Sequence, residues 1–395
     1  MKIRIPVILF LFLLIYPGSY GQDLVFQINN YTTKDYGRDF HPSNMAVVQD
    51  SRGLIYAANG FKLLEFDGKR WNSYPINKEA WILSLAVDSN GIIYAGSQNE
   101  FGYFAPAKSG LLKYISLSDS LNNEDLDFSN VWKVYVLSGD VIFQSEERIF
   151  NYRNGKIKVI KPSTSFHTSF VINGKLYVRQ REEGLMVLEN DKLTRISGSE
   201  IFNNTGIFLM VPFGKEKILA GTRDKGFFLF EQNGENPRFR QFKFKDDEII
   251  NKSVITGGIS AGEGAIAIAT MMNGIFVVDT SGATKAVINT ANGLGDNEVK
   301  QLITDNAGDL WAALNNGLSR IAISSPISVY NEKSGIPGQV SSIIRFKGNL
   351  FAGTSSGLVI QNNVRSNAAP FRTITGVTSA VRSICEAYGN MYVGA

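Results

Sequence analysis

Apolar residues along this chain form short runs separated by turns rich in glycine, asparagine and aspartate, and one arrangement of these runs occurs nine times. Each copy has two apolar residues, an aromatic or aliphatic residue, a small residue, a variable gap and a Gly-Leu or Gly-Phe pair. Repeats of about 40 residues that each hold several short strands are typical of a β-propeller. We therefore predict an all-β fold built from four-stranded antiparallel blades. The clearest copies are TDNAGDLWAALNNGLSRI from Thr304, VDSNGIIYAGSQNEFGYF from Val87, QDSRGLIYAANGFKLLEF from Gln49 and FKGNLFAGTSSGLVI from Phe346.

The best-defined copy, from Asp296 to Lys333, gives the strands of one predicted blade. VKQLITD, DLWAAL and LSRIAI are its first three strands, and ISVYNEK is predicted to be a more polar fourth strand at the rim. Glycines follow the first strand and, in several copies, the second strand, where a tight turn favours positive φ. Alignment of the copies places one residue of each predicted second strand in register: Tyr56, Tyr94, Phe143, Tyr177, Leu219, Ala267, Trp311, Phe351 and Tyr392.

The number of copies predicts how the chain is divided into domains. Seven copies are predicted to close one seven-bladed ring over residues 22–330, and the eighth and ninth, residues 331–395, to begin a second propeller. A single nine-bladed ring is the alternative, although propellers typically have four to eight blades. The chain ends as MYVGA inside the predicted second strand of the ninth copy. Because a cut strand leaves an unpaired edge, we expect a longer protein of which this is the N-terminal piece.

Composition and the N-terminus predict a folded, exported protein. Hydrophobic residues make up 44% and charged residues 19% of the 395 positions, which argues against disorder. The net charge of +4 gives no reason to expect nucleic acid as a partner. Residues 1–21 are predicted to be a signal peptide, with Lys2 and Arg4 ahead of an apolar run over 5–16. An uncleaved anchor is the alternative, but the run is shorter than the roughly 20 residues of a membrane span.

Residues suited to catalysis or metal binding are few. The chain has two histidines, His41 and His167, whereas a zinc site needs three or four converging ligands, so no metal site is predicted. Both are predicted to be surface or hydrogen-bonded side chains. The single cysteine, Cys385, lies in the apolar run VRSICEAY and is predicted to be a buried structural thiol. The Asp box of sialidase-type propellers fails here because Asp305 and Gly308 are one residue too far apart. We predict no catalytic residue, no cofactor and no enzyme activity, with a propeller hydrolase or lyase as the weaker alternative.

The segment NTANGLGDNEVKQLITDNAGDLWAALNNGLSRI, from Asn289 to Ile321, resembles the two-component regulator propeller repeat. That family's pattern has Gly-Leu, a short gap, Asn-x-Val, then Asp-x-x-Gly-x-x-Trp and a closing Gly-Leu. Looser copies cover nearly the whole mature chain, although the third and fourth fit poorly. The phrases LLEFDGKRW and NEFGYF look like early blades of such sensors in Bacteroidetes-type bacteria. The matching residues are Gly293, Leu294, Asn297, Val299, Asp305, Gly308, Trp311, Gly317 and Leu318.

This resemblance implies the exported sensor region of a hybrid two-component or one-component regulator. Such proteins usually carry two seven-bladed propellers, a small triple-tyrosine domain, one transmembrane helix and a cytoplasmic output module. The resemblance therefore implies a periplasmic location, with tethering to the inner membrane through a segment beyond these residues. It also implies that an output enzyme, such as a histidine kinase, follows in the full-length protein.

Propeller geometry predicts where a ligand would bind. The loops after the second strand and before the first strand of each blade emerge on one face of the ring. Arginine, glutamine, asparagine and an indole ring on that face suit a small molecule such as an oligosaccharide or an anionic sugar. A protein-interaction platform is the alternative, and a homodimer through this region is a further expectation. The predicted ligand-binding residues are Trp81, Gln98, Arg179, Arg181, Arg223, Asn273 and Asn315.

Overall fold

The structure is a computed structural model. It describes residues 26–76, 78–214, 216–231, 238–262, 264–325, 327–330, 332–361 and 371–395. The predicted signal peptide, residues 1–21, lies outside the described residues.

Short strands make up most of the described chain, as the spacing of apolar runs and turns predicts. Two short helices, α1 (Thr33–Tyr36) and α2 (Asp247–Lys252), interrupt them. The strands are β1 (Ile28–Tyr31), β2 (Val47–Gln49), β3 (Ile55–Asn59), β4 (Lys62–Phe66), β5 (Trp71–Pro75), β6 (Ile82–Val87), β7 (Ile93–Ser97), β8 (Glu100–Pro106), β9 (Leu112–Ser116), β10 (Lys133–Leu137), β11 (Asp140–Gln144), β12 (Ile149–Arg153), β13 (Lys156–Ile160), β14 (Phe166–Ile172), β15 (Lys175–Gln180), β16 (Gly184–Glu189), β17 (Lys192–Arg195), β18 (Ile207–Phe213), β19 (Lys217–Thr222), β20 (Phe227–Glu231), β21 (Arg238–Phe242), β22 (Ile255–Ser260), β23 (Ala265–Thr270), β24 (Ile275–Asp279), β25 (Thr284–Ile288), β26 (Val299–Thr304), β27 (Leu310–Leu314), β28 (Leu318–Ile321), β29 (Val340–Phe346), β30 (Asn349–Thr354), β31 (Gly357–Gln361), β32 (Phe371–Thr373), β33 (Ser383–Ala387) and β34 (Asn390–Gly394).

The described strands form eight four-stranded antiparallel sheets and one two-stranded sheet. Each sheet but one is built from consecutive strands, which is the arrangement of a propeller blade. We number the blades by their strands: blade 1 is β2–β5, blade 2 β6–β9, blade 3 β10–β13, blade 4 β14–β17, blade 5 β18–β21 and blade 6 β22–β25. Blade 7 contains β26, β27, β28 and the N-terminal strand β1. The predicted fold class is confirmed. The nine residues aligned from the sequence all lie on the second strand of their sheets.

The first strand of each blade packs against the first strand of the next. These contacts run from β2 to β6, β10, β14, β18, β22 and β26, and β26 contacts β2 again. Hydrogen bonds cross the same boundaries: the Ser84 hydroxyl donates to the Val131 carbonyl at 2.8 Å, and the Val47 N–H donates to Gln301 Oε1 at 2.9 Å. Blades 1 to 7 therefore form a closed cycle of neighbours. The division of the chain at residue 330 stays a prediction.

The outer strand of blade 7 differs from the prediction. ISVYNEK was expected to be this strand, but its described part contains no strand, and a short 3₁₀ turn begins at Glu332. Instead β1 pairs with β28, with Ile28 opposite Ile321 and Tyr31 opposite Leu318. The physical reason is closure: when the first strand of the ring completes the last blade, backbone pairing joins both ends of the cycle.

The repeated Asp-x-x-Gly-x-x-aromatic pattern has a direct structural explanation in blade 7. One oxygen of Asp305, Oδ1, accepts hydrogen bonds from the N–H groups of Ala307 and Asp309, both at 2.9 Å. The other oxygen accepts from the indole N–H of Trp311 at 3.1 Å. The carboxylate thus fixes the turn between the first two strands and satisfies the buried indole. Asp50 and Asp88 use the same arrangement, with the hydroxyls of Tyr56 and Tyr94 in place of the indole.

The hydrophobic core lies mainly between neighbouring blades rather than in one central mass. Between blades 7 and 1, for example, Trp311 and Leu318 pack with Ile55, Leu64 and Phe66. The second strands are the most buried: β3, β7 and β27 have no exposed position. Full burial of one such apolar side chain contributes about 1.5–3 kcal/mol. The ring is therefore stabilised by burial and strand pairing.

Two further sheets follow the ring. One contains β29 to β32, and the other contains only β33 and β34. Cys385 lies on β33 and is exposed, so the prediction of a buried thiol is wrong. An apolar sequence run predicted burial, but a two-stranded sheet has too few neighbours to cover both faces. Among the described residues, no helix has the length and apolar character needed to cross a membrane.

Candidate functional site

One hydrogen bond repeats in several blades and defines the face on which the predicted residues lie. The N–H of the residue just after the second strand donates to the carbonyl just before the first strand of the same blade. The loops at these two positions therefore share one face of the ring, as predicted; we call it the loop face. The bonds join Gln98 to Trp81 (3.1 Å), Arg181 to Ser165 (2.8 Å), Arg223 to Gly206 (3.0 Å) and Asn315 to Glu298 (3.0 Å).

Gln98, Arg181, Arg223 and Asn315 thus occupy the same position in blades 2, 4, 5 and 7. All four are exposed, so their side chains are free of the core. Around the loop face, this equivalent backbone position carries glutamine in blade 2, arginine in blades 4 and 5 and asparagine in blade 7. This arrangement can vary chemistry around the ring without changing the scaffold.

Three other predicted residues have structural contacts of their own. Arg179 is only 3% exposed, and its guanidinium donates to the carbonyls of Phe202, at 3.1 Å, and Asn203. Asn273 donates from its amide to the Ser253 hydroxyl at 2.7 Å. Trp81 is half-buried and packs edge-on against His41, with ring centroids 4.6 Å apart. These contacts hold the loops of the face in place.

The predicted residues are spread over blades 2, 4, 5, 6 and 7, and the structure brings one group of them together. Arg179, Arg181 and Arg223 all lie near His167, close enough for their charges to act on its imidazole. Phe208 completes this group, because its ring contacts both His167 and Arg223. We call these five residues the arginine cluster.

His167 and Phe208 occupy bulges in the first strands of blades 4 and 5. In β14, Phe166 pairs with Gln180 and Thr168 with Arg179, which leaves His167 as the extra residue. In β18 the same register shift leaves Phe208 unpaired between Ile207 and Leu209. A bulge re-aims its side chain and often lies beside a functional site. Equivalent bulges occur at Leu83 in blade 2, Thr256 in blade 6 and Lys300 in blade 7.

Aromatic contacts and one ion pair position the side chains of the arginine cluster. The His167 and Phe208 rings meet edge to face at a centroid distance of 5.2 Å and an angle of 85°. The Arg223 guanidinium lies 4.0 Å above the Phe208 ring, within the range of a cation–π interaction. Arg181 makes an ion pair with Glu146 at 3.5 Å, in which both side chains are nearly half exposed.

His167 is electrostatically unusual. Burial, followed by the positive charges of Arg179, Arg181 and Arg223, lowers the pKa of His167 to about 4. Its Nδ1 atom is buried and has no hydrogen-bond partner among the described residues. The site therefore combines a neutral imidazole, an aromatic ring and three guanidinium groups. Such a set can bind an anionic ligand, but it lacks a paired acid and base for hydrolysis.

Sequence reasoning identified the three arginines but missed the two bulged residues. His167 was interpreted as an ordinary surface or hydrogen-bonded side chain, and Phe208 was not singled out. A signal exists in retrospect: each bulge follows an apolar residue at the start of the first strand, as in Phe166-His167 and Ile207-Phe208. Single-sequence alternation does not reveal it, because a bulge shifts the register by one residue.

A concave region lies near the turns of blades 1 and 2, away from the predicted residues. It is a cleft of about 310 Å³ lined by Arg52, Glu65, Tyr74, Asn90 and their neighbours. Its polar groups are already engaged: the Arg52 guanidinium contacts Asp50 at 2.7 Å, and Glu65 accepts from the Tyr74 hydroxyl at 3.1 Å. Burial and the charge of Glu65 raise the pKa of Tyr74 to about 12. These side chains stabilise the turns.

Within the part of the chain that the structure describes, no group of three or more histidine, cysteine or acidic side chains could hold a metal ion. The predicted absence of a cofactor remains a prediction.

Comparison with known proteins gives similarity at the level of structure. No family model and no curated protein matches the sequence. Among solved structures, the chain is similar to the extracellular domain described as part of the BT3049 hybrid two-component system of B. thetaiotaomicron, with 19% identity and a TM-score of 0.67. It is also similar to the extracellular domain of the BT4673 one-component system of the same organism, with 16% identity and a TM-score of 0.58.

Coverage differs between the kinds of neighbour. The alignments cover 93% of this chain and 52% and 51% of the two B. thetaiotaomicron domains, so the chain spans about half their length. Virginiamycin B lyase from Staphylococcus aureus aligns with 75% of this chain and 98% of its own length, with 12% identity and a TM-score of 0.56. At these identities the similarity shows the propeller fold. It agrees with the resemblance noted in the repeats.

Proposed function

We propose that this chain is the exported ligand-sensing region of a signal-transduction regulator that spans the membrane. The observation that carries this proposal is the similarity of 93% of the chain to extracellular domains of two-component and one-component systems. The repeat from Asn289 to Ile321 supports it independently. The lyase neighbour covers a smaller part of the chain at lower identity.

The ligand in this proposal is a small molecule such as an oligosaccharide, bound on the loop face. Equivalent backbone positions there present Gln98, Arg181, Arg223 and Asn315, whose planar donors suit hydroxyl and carboxylate groups. Residues 22–330 form the binding ring in this proposal, and residues 331–395 begin a second propeller. The output module, the inner-membrane anchor and a homodimer belong to the proposed full-length protein.

Calorimetric titration of the purified chain with a panel of neutral and acidic oligosaccharides tests the sensing function. We expect saturable heat with at least one member and about tenfold weaker binding in an Arg223→Ala variant. Arg240→Ala is the matched control, since Arg240 is an exposed arginine of the same blade that pairs with Glu231 on the outer strands. Absence of heat with every oligosaccharide would contradict the sensing function as stated. Release of smaller sugars would favour an enzyme.

A further inference from the structure

We infer that the arginine cluster binds an oxyanion of the ligand, a carboxylate or a sulfate, between Arg181 and Arg223. This inference rests on the proposed function, because it specifies which ligands the loop face would accept. Neutral oligosaccharides would lack the group that the cluster recognises.

Arg181 and Arg223 lie at equivalent positions of adjacent blades. Arg181 and Arg223 follow the second strands of blades 4 and 5, and each is held by the repeated hydrogen bond to the start of its blade. The first strands of these two blades, β14 and β18, contact each other. Two guanidinium groups therefore extend from equivalent points of adjacent blades. Guanidinium groups recognise carboxylate and sulfate through paired N–H donors in a fixed plane.

The guanidinium groups of Arg181 and Arg223 are available to a ligand. Arg181 has one described ion-pair partner, Glu146, at 3.5 Å, with side chains 45% and 42% exposed. An exposed pair of this kind contributes little to stability, so exchanging it for a ligand anion costs little. Arg223 has no ion-pair partner among the described residues, and its guanidinium rests on Phe208 at 4.0 Å. Both side chains can turn toward a ligand without breaking the core.

The residues around Arg181 and Arg223 favour an anionic group. Arg179 is buried, and its guanidinium donates to two backbone carbonyls, so it adds a fixed positive charge beneath the exposed pair. The three guanidinium groups are the charges that act on His167; no carboxylate is among them. His167 also has a buried Nδ1 atom without a partner in the described chain. Glu146 is the one described carboxylate in an ion pair with the cluster, so the three guanidinium groups keep an excess of positive charge beside an unused polar atom.

The experiment uses two pairs of probes in calorimetric titrations of the purified chain: trigalacturonate with the neutral galactotriose, and a sulfated chondroitin disaccharide with sodium sulfate. We expect trigalacturonate to bind and galactotriose to bind at least about tenfold more weakly, because hydrogen bonds to a charged group are stronger than those between neutral groups. Raising the salt concentration should weaken binding of the acidic probe, since exposed charges are screened. A sulfated chondroitin disaccharide, compared with inorganic sulfate, separates a sugar-borne anion from a free one.

Variants then locate the site. Arg181→Ala and Arg223→Ala are each expected to weaken binding of the acidic probe about tenfold, and Arg240→Ala to leave it unchanged. Equal binding of trigalacturonate and galactotriose would overturn the oxyanion inference while leaving the sensing function standing. Binding of an acidic probe that both arginine variants retain would also overturn it. If no neutral or acidic probe binds, both the inference and the proposed function fail. Far-UV circular dichroism of each variant checks that the fold is unchanged.

Discussion

For single residues, the surroundings decide what a turn glycine does. Gly139 and Gly317 have nearly the same conformation, with φ of 88° and 89°. A Cβ at Gly139 would meet nothing within 4 Å, whereas at Gly317 it would lie against the carbonyl oxygen of Tyr31. Gly317 therefore has two roles. It lets the backbone of β1 lie close to the turn between β27 and β28, and it adopts the positive φ that this turn requires.

This difference predicts unequal effects of the same substitution. Gly139→Ala should lower the free energy of unfolding by about 1 kcal/mol, the ordinary cost of positive φ for alanine. Gly317→Ala should cost about 2 kcal/mol more, because the backbone of β1 must also move. Urea denaturation of both variants and the parent chain measures the two values. Similar losses in both variants would show that β1 does not lie tightly against this turn.

The partly buried imidazole of His167 predicts a pH effect on stability. Its pKa in the folded chain is about 4, below the ordinary value of about 6.5 expected when unfolded. Between these values the unfolded chain binds more protons, so the free energy of unfolding should decrease as pH falls from 6.5 toward 4. Since the side chain is partly exposed, we expect an effect of about 1–2 kcal/mol.

The measurement is a set of urea transitions at several pH values for the parent chain and for His167→Gln. Carboxylates also titrate in the lower part of this range, so the informative quantity is the difference between the two profiles. The variant should lose less stability on acidification. Parallel profiles would mean that His167 is as easily protonated in the folded chain as in the unfolded chain.

At the scale of elements, the repeat predicts strands well but does not identify their partners. All nine aligned residues lie on second strands, because local apolar runs and turn glycines specify where these strands begin and end. The fourth strand of blade 7 was predicted wrongly at ISVYNEK, since its actual occupant, β1, is almost 300 residues away in sequence. Bulges at His167 and Phe208 escaped notice for a similar reason, as register is a property of a pair of strands.

The aromatic contacts of Tyr31 predict how much β1 stabilises the closed ring. Its ring stacks on Trp311 of blade 7, with centroids 5.4 Å apart, and meets Phe66 and Trp71 of blade 1. Tyr31→Ala should lower the free energy of unfolding by about 3 kcal/mol and favour aggregation through the exposed edge of β28. Tyr31→Phe, which keeps the ring, should cost much less. Chemical denaturation and light scattering measure both effects; equal behaviour of the two variants would contradict a closing role of the ring.

At the scale of the whole molecule, the cycle of blade contacts bears on domain organisation. The first strands of blades 1 to 7 contact one another in order, and β26 contacts β2. The repeat alone left a nine-bladed ring open as an alternative. The cycle of contacts already closes without β29 to β34, which favours the proposed division at residue 330.

A fragment of residues 22–330 should therefore unfold in one cooperative transition. Its interblade core and the β1–β28 pairing are both retained, so we expect calorimetric and van't Hoff enthalpies to agree. Differential scanning calorimetry of the fragment and of residues 22–395 gives the comparison. An unfolded fragment, or one with broad noncooperative melting, would favour a ring that needs the later blades.

Local sequence patterns are enough to specify the fold class, the second strands and the face on which the arginines lie, because periodicity, turn glycines and the Asp305–Gly308–Trp311 spacing are local properties. Tertiary packing was needed to identify the partner of β28, the exposure of Cys385 and the proximity of Arg181 and Arg223 to His167. The first depends on ring closure, the second on the few neighbours of a two-stranded sheet, and the third on the packing of blade 4 against blade 5. Local patterns therefore specify each blade, whereas packing between blades builds the site.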